Sequence, residues 1–105
     1  MVKVNFLELP QLVEAILLWT GWGREMMPRR DDSVLIDYFG TEIAAKLLPV
    51  IKSLEDDFYS SDARFLAADL HEMELLSSAQ FRKKYPAIAD EIVKAFAWCY
   101  TFDFK

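Results

Sequence analysis

The chain has 105 residues, 53% hydrophobic and 14% aromatic, with only three Gly, four Pro and one Cys. That composition excludes a disordered chain and a disulfide scaffold, and it leaves few places for the turns that many short strands need. Twelve Lys and Arg against 17 Asp and Glu give a net charge of −5, which disfavours a nucleic acid partner, because affinity for phosphate comes from clustered cations.

The first residues alternate, with Val2, Val4 and Phe6 on one side and Lys3 and Asn5 on the other, the period of a half-buried strand. At the far end Tyr100, Phe102 and Phe104 alternate in the same way with Thr101, Asp103 and Lys105. Two readings follow: a small two-stranded ribbon made by the termini, or an apolar tail laid over the core. The N-terminal stretch carries Glu8 and Glu14 within its apolar run and no small-residue cleavage site after a basic start, unlike a signal peptide. No run approaches the roughly 20 apolar residues that cross a bilayer. Cys99, the lone cysteine, reads as a reduced core residue, and the expected location is the cytoplasm.

Pro10 is expected to open a helix running to about Thr20, with Leu9, Leu12, Val13, Ile16 and Trp19 or Leu17 as its buried stripe. Gly21 stops it. The following segment, GWGREMMPRR, has neither a helical nor a strand period and reads as the one long loop. Asp31, Asp32 and Ser33 are N-cap candidates for two helical turns closed by Gly40, with a buried strand VLI as the alternative. Thr41 is expected to cap a longer helix to about Phe58, with Ile43, Leu47, Val50 or Ile51, Leu54 and Phe58 inward, and a kink or break near residues 45–48 caused by Pro49.

After a turn at residues 59–61, Asp62 is expected to cap a helix to about Leu76 with Ala63, Leu66, Leu70 and Met73 inward. Ser77 and Gln80 have capping-box spacing, which predicts a separate short helix before the Tyr85-Pro86 break. The last helix is predicted from Pro86 to Tyr100. Its apolar residues nearly encircle it: Ile88, Ala89, Ile92, Val93, Ala95, Phe96, Ala97, Cys99 and Tyr100, broken only by Asp90, Glu91, Lys94 and Trp98. A helix of this kind needs neighbours on most sides. The expected architecture is therefore an all-α, compact bundle of five or six helices around a buried C-terminal helix, in one domain spanning residues 1–105.

His71 is the sole histidine, so Ser/His/Asp or Cys/His chemistry would have to run through it, and a multi-His metal site is excluded. A metal-dependent enzyme using His71 with Asp69, Glu72 or Glu74 is kept as an outsider, since only Glu74 lies near His71 on a helix. Glu55, Asp56 and Asp57 point about 100° apart and do not converge for acid/base work. Gly21-Trp22-Gly23 lacks the third glycine and the preceding strand of a dinucleotide fingerprint. No catalytic residue, metal or cofactor is expected.

Two short basic clusters, Arg24, Arg29 and Arg30, and Arg82, Lys83 and Lys84, each have acids beside them and read as local charge pairing. Trp, Met and Arg are enriched at protein interfaces. Trp19, Trp22, Arg24, Met26, Met27, Arg29, Arg30 and, on the polar stripe of the last helix, Trp98 are accordingly the candidate protein-binding residues. The expected function is a non-catalytic protein-binding module with no membrane or nucleic acid partner. Analogy of size and charge suggests a small acidic bacterial inhibitor of the toxin-immunity kind acting on a basic partner. The alternative is a self-associating protein that buries Trp22, Met26, Met27 and Trp98 in a homodimer.

Overall fold

The computed structural model describes residues 11–105 as six helical elements. They are α1 (Leu12–Thr20), α2 (Asp32–Phe39), α3 (Thr41–Tyr59), α4 (Ala63–Leu66), α5 (Leu70–Lys84) and α6 (Asp90–Asp103). Among the described residues there is no strand. Pro10, Leu9 and the alternating Val2, Val4 and Phe6 lie outside them.

Helix α6 holds the centre, packed against α5, α1 and α3. Ile92, Val93, Ala95, Phe96, Ala97, Cys99 and Tyr100 are buried, while Asp90, Glu91 and Lys94 are exposed. Its bounds differ from expectation at both ends. Pro86 and Ala87 form a turn, closed by the Ile88 amide donating to the Tyr85 carbonyl at 3.1 Å. The helix starts only at Asp90, where Asp90 and Glu91 place their charge in its first turn, the end favoured by the helix dipole. At the C-terminus Tyr100 and Phe102 are helical and Phe104 is the C-cap, so the alternating aromatics do not form a strand. Tyr100 and Phe104 are four apart, a spacing that also suits a helix, and their rings meet edge-on at 4.9 Å. The C-terminal half of the ribbon is thus overturned.

Phe58 of α3 joins three rings around α6: Phe81 at 4.9 Å, Tyr100 at 5.7 Å and Phe96 at 6.0 Å between centroids. In α3 the inward residues Leu47, Ile51, Leu54 and Phe58 keep a four-three-four spacing, joined by Ala44. Ile43, expected inward, is exposed. Gly40, not Thr41, is the N-cap of α3. Pro49 does not break this helix, which runs unbroken from Thr41 to Tyr59. Pro49 and Ala45 both lie on the exposed face, where water can take the carbonyl that the missing N–H leaves free.

The largest departure lies between Asp62 and Lys84. A single turn, α4, ends at Leu66, and α5 then runs without interruption through Ser77. Asp69 is the N-cap of α5, its carboxylate accepting from the Glu72 amide at 2.8 Å, while Glu72 reaches back to the Ala68 amide at 2.8 Å. This reciprocal cap displaces the one expected at Ser77 and Gln80. Ser77 is buried in mid-helix and donates to the Glu74 carbonyl, and Gln80 donates instead to Asp62. Resetting the helical phase at Leu70 turns Leu66 and Leu70 outward, although Ala63 and Met73 stay buried.

Candidate functional site

The loop between α1 and α2 is closed by backbone hydrogen bonds at both ends. The Arg29 amide donates to the Thr20 carbonyl at 3.0 Å, and the Asp31 amide to the Trp19 carbonyl at 3.1 Å. Gly21 has φ +82°, and a Cβ there would stand 2.6 Å from the Glu25 side chain, so only glycine fits this turn. The expected binding residues divide into anchors and tip. Trp19 is buried, its indole N–H donating to Asp32 at 2.8 Å. Arg29 pairs with Glu25 and Asp31. Arg30 donates to both oxygens of Asp103, at 3.0 and 3.2 Å, and to Tyr59, with Glu55 at 3.8 Å. Trp19 and Arg30 fasten the loop to the bundle, whereas Arg29 is exposed and pairs only with residues of the loop and of its end.

The tip remains at the surface. Met26 is 96% exposed, Met27 and Arg24 are exposed, and Trp22 is half-buried. Trp22 walls an open cleft of about 440 Å³ over Val13, Leu17 and Leu18 of α1. Trp98 is half-buried on α6.

Beneath the loop, Arg30, Tyr59, Glu55, Asp103 and Cys99 surround one another. Burial foremost, then the bond that Tyr59 donates to Asp103 at 2.6 Å, holds the Tyr59 phenol well above its ordinary value. Burial pushes the Cys99 thiol up to about 12, with Arg30 pulling the other way. Tyr85, whose hydroxyl bonds Asp57, is pushed up to about 12, again chiefly by burial. All three shifts are upward, so the stability they lend is whole below the unfolded values of 9.0 for Cys and 10.0 for Tyr, and is lost as pH climbs toward the folded ones. Urea unfolding is expected to show stability falling from near pH 9 onward. Cys99→Ala is expected to delay the onset to near pH 10; an unchanged profile in that variant would remove Cys99 from the account.

The acidic run on α3 diverges. Glu55 faces Arg30, Asp57 accepts from Tyr85, and Asp56 is exposed. Around a hollow of about 330 Å³ nearby, Lys84 donates to the Asp57 carbonyl and to Ser60, and Gln80 to Asp62, so its polar groups serve the fold. His71 is exposed, and among the described residues no group of three His, Cys, Asp or Glu stands where it could hold a metal ion. No described helix is long and apolar enough to cross a membrane.

A second surface, whose two leucines were expected inside the core, lies at the corner between α4 and α5. Phe65 is 75%, Leu66 63% and Leu70 46% exposed. Such a concentration of large apolar side chains at the surface is a feature of interaction sites. Residues 62–76 carry Asp62, Asp69, Glu72 and Glu74 against Arg64 alone, three of the five net negative charges. None of these carboxylates forms an ion pair among the described residues. Arg64 lies over the rings of Phe65 and Phe104 at 4.6 and 4.5 Å and reaches the carbonyls of Tyr59 and Ser61, in no ion pair with these carboxylates. The signal for this corner was present in the sequence as the Asp69–Glu72 spacing, which starts a helix at Leu70 and frees the two leucines from the buried stripe.

Compared with protein families, curated proteins and solved structures, the chain matches none.

Proposed function

We propose that the chain is a non-catalytic protein-binding module of the cytoplasm whose partner is a basic protein, received on the corner between α4 and α5. The supporting observation is the coincidence there of exposed Phe65, Leu66 and Leu70 with four carboxylates that no cation of the described chain neutralises. The apolar side chains supply the area a partner would cover. The carboxylates raise the rate of encounter with a cationic surface and disfavour acidic competitors. A small inhibitor of the toxin-immunity kind, covering the basic active site of a nuclease-like toxin, is one concrete form of this reading, supported by size and charge. The loop tip, with Trp22, Arg24, Met26 and Met27, provides a second contact. The lone buried thiol of Cys99 suits a reducing compartment.

Affinity capture on the immobilised protein tests this reading. The expected partner is rich in Lys and Arg and is released as NaCl rises from about 0.05 to 0.5 M, the range over which exposed charges become screened. A Phe65→Ser/Leu66→Ser variant is expected to retain little of it. An acidic partner, or equal retention by both proteins, overturns the assignment.

A further inference from the structure

Helix α5 presents an outward face that no part of the described chain covers. Met73, Ser77, Ser78 and Phe81 look inward, whereas Glu72, Leu75, Ala79 and Arg82 are all exposed, Leu75 at 56%. Their spacing of three, four and three residues forms a narrow seam along the helix, the spacing at which two helices pack side by side. The seam has an order: acid, leucine, alanine, base.

From this order we infer that α5 is a homodimerisation helix, pairing antiparallel with α5 of a second copy about a two-fold axis near Ser77. Residues equidistant from that axis face each other. Glu72 and Arg82 lie five positions on either side, and Leu75 and Ala79 two on either side. Each copy therefore sets its glutamate against the other's arginine, twice, and its leucine against the other's small alanine, which leaves room for it. An isologous interface requires this self-complementarity.

Both charged groups have capacity left. Glu72 engages the Ala68 amide through Oε1, leaving its other oxygen, and Arg82 engages Asp90 through Nη2, leaving the rest of the guanidinium fork. Lys83, exposed and in no ion pair among the described residues, adds a cation beside Arg82. Acid at the start and base at the end of a helix complement its own dipole. That complement does not account for Leu75 standing in the open between them, whereas a facing copy does. The face differs from the loop tip and from Phe65 and Leu66 but shares Glu72 with the corner proposed above, so the Phe65→Ser/Leu66→Ser variant is what separates the two readings.

Three turns of seam cover less than the ~800 Å² per partner of a standard interface. Association is therefore expected at high concentration, with the mass rising from monomer toward dimer between about 10 µM and 1 mM in sedimentation equilibrium. Leu75→Glu is expected to hold the protein monomeric. Glu72→Arg and Arg82→Glu are each expected to weaken self-association at least tenfold, and an equimolar mixture of the two to restore it as a heterodimer. In the unmodified protein, amide chemical shifts that move on dilution are expected along residues 71–83, a readout that needs no variant to fold. Phe65→Ser/Leu66→Ser is expected to dimerise normally. A strict monomer at 1 mM, a dimer indifferent to Leu75→Glu, or no rescue on mixing would each overturn the assignment.

Discussion

Phe96→Ala is expected to destabilise the protein by about 3–5 kcal/mol, the range for removing a buried aromatic ring from a packed core. Phe96 is fully buried in α6, its ring 6.0 Å from both Phe58 and Phe81, so truncation opens a void where α3, α5 and α6 meet. These neighbours are themselves buried and belong to two other helices, which limits how far the site can collapse. For a domain of this size the loss corresponds to a fall in Tm of roughly 12–30 °C. Trp22→Ala, on the half-buried wall of the loop cleft, is the control and should leave the cooperative transition in place. Thermal unfolding followed by circular dichroism checks both; a Tm within a few degrees of the parent for Phe96→Ala would remove α6 from the centre of the fold.

Tyr100→Phe is expected to cost about 2–3 kcal/mol although it removes one oxygen atom. The buried hydroxyl donates to the Ser61 carbonyl at 2.9 Å and accepts from the Arg64 amide at 3.1 Å. Phenylalanine leaves the Arg64 amide without a partner and takes from the Ser61 carbonyl the closer of its two donors, the Arg64 guanidinium staying at 3.3 Å, and an unsatisfied buried polar group costs more than a hydrogen bond contributes. The damage should be local as well as global, because those two bonds tie the single turn of α4 to α6. Amide exchange at Arg64 is expected to accelerate beyond what the change in global stability accounts for. The same loosening reaches Phe65 and Leu66, so the variant should also bind a partner at that corner less well. Exchange at Arg64 that merely tracks global unfolding would show that α4 is held by packing rather than by this hydroxyl.

Most of the helices were legible because their signals were local and unopposed. Gly21 and Gly40 end α1 and α2 where the left-handed or otherwise open backbone favours glycine. Asp31 caps α2 by accepting from the Ser33 amide at 3.0 Å. The apolar ring of α6 could have been satisfied only by burial. Errors arose where two local signals competed. Asp69–Glu72 and Ser77–Gln80 both have the spacing of a cap, and a helix cannot begin at both. Tyr100, Phe102 and Phe104 fit a strand by alternation, while Tyr100 and Phe104 fit a helix by separation. Packing broke each tie: Ser77 faces the core and cannot cap, and Tyr100 inserts among Phe58, Tyr59 and Phe104 only from a helix.

The candidate site was less legible, because residue type does not reveal whether a side chain is already engaged. Trp19 and Arg30 have interface character by composition, yet their partners, Asp32 and Asp103, occupy them within the fold. Phe65, Leu66 and Leu70 have core character by composition, yet a shift of helical phase at Ala67–Asp69 leaves them outside.

Periodicity and charge in the linear chain were enough to establish an acidic, helical protein organised on its last helix, since a nearly all-apolar helix has no stable alternative to being surrounded. Which aromatic and basic residues are spent on internal contacts, and which carboxylates and leucines are left facing outward, was decided by the packed arrangement alone. Engagement depends on partners distant in the chain, 73 residues apart for Arg30 and Asp103, and no local pattern encodes them.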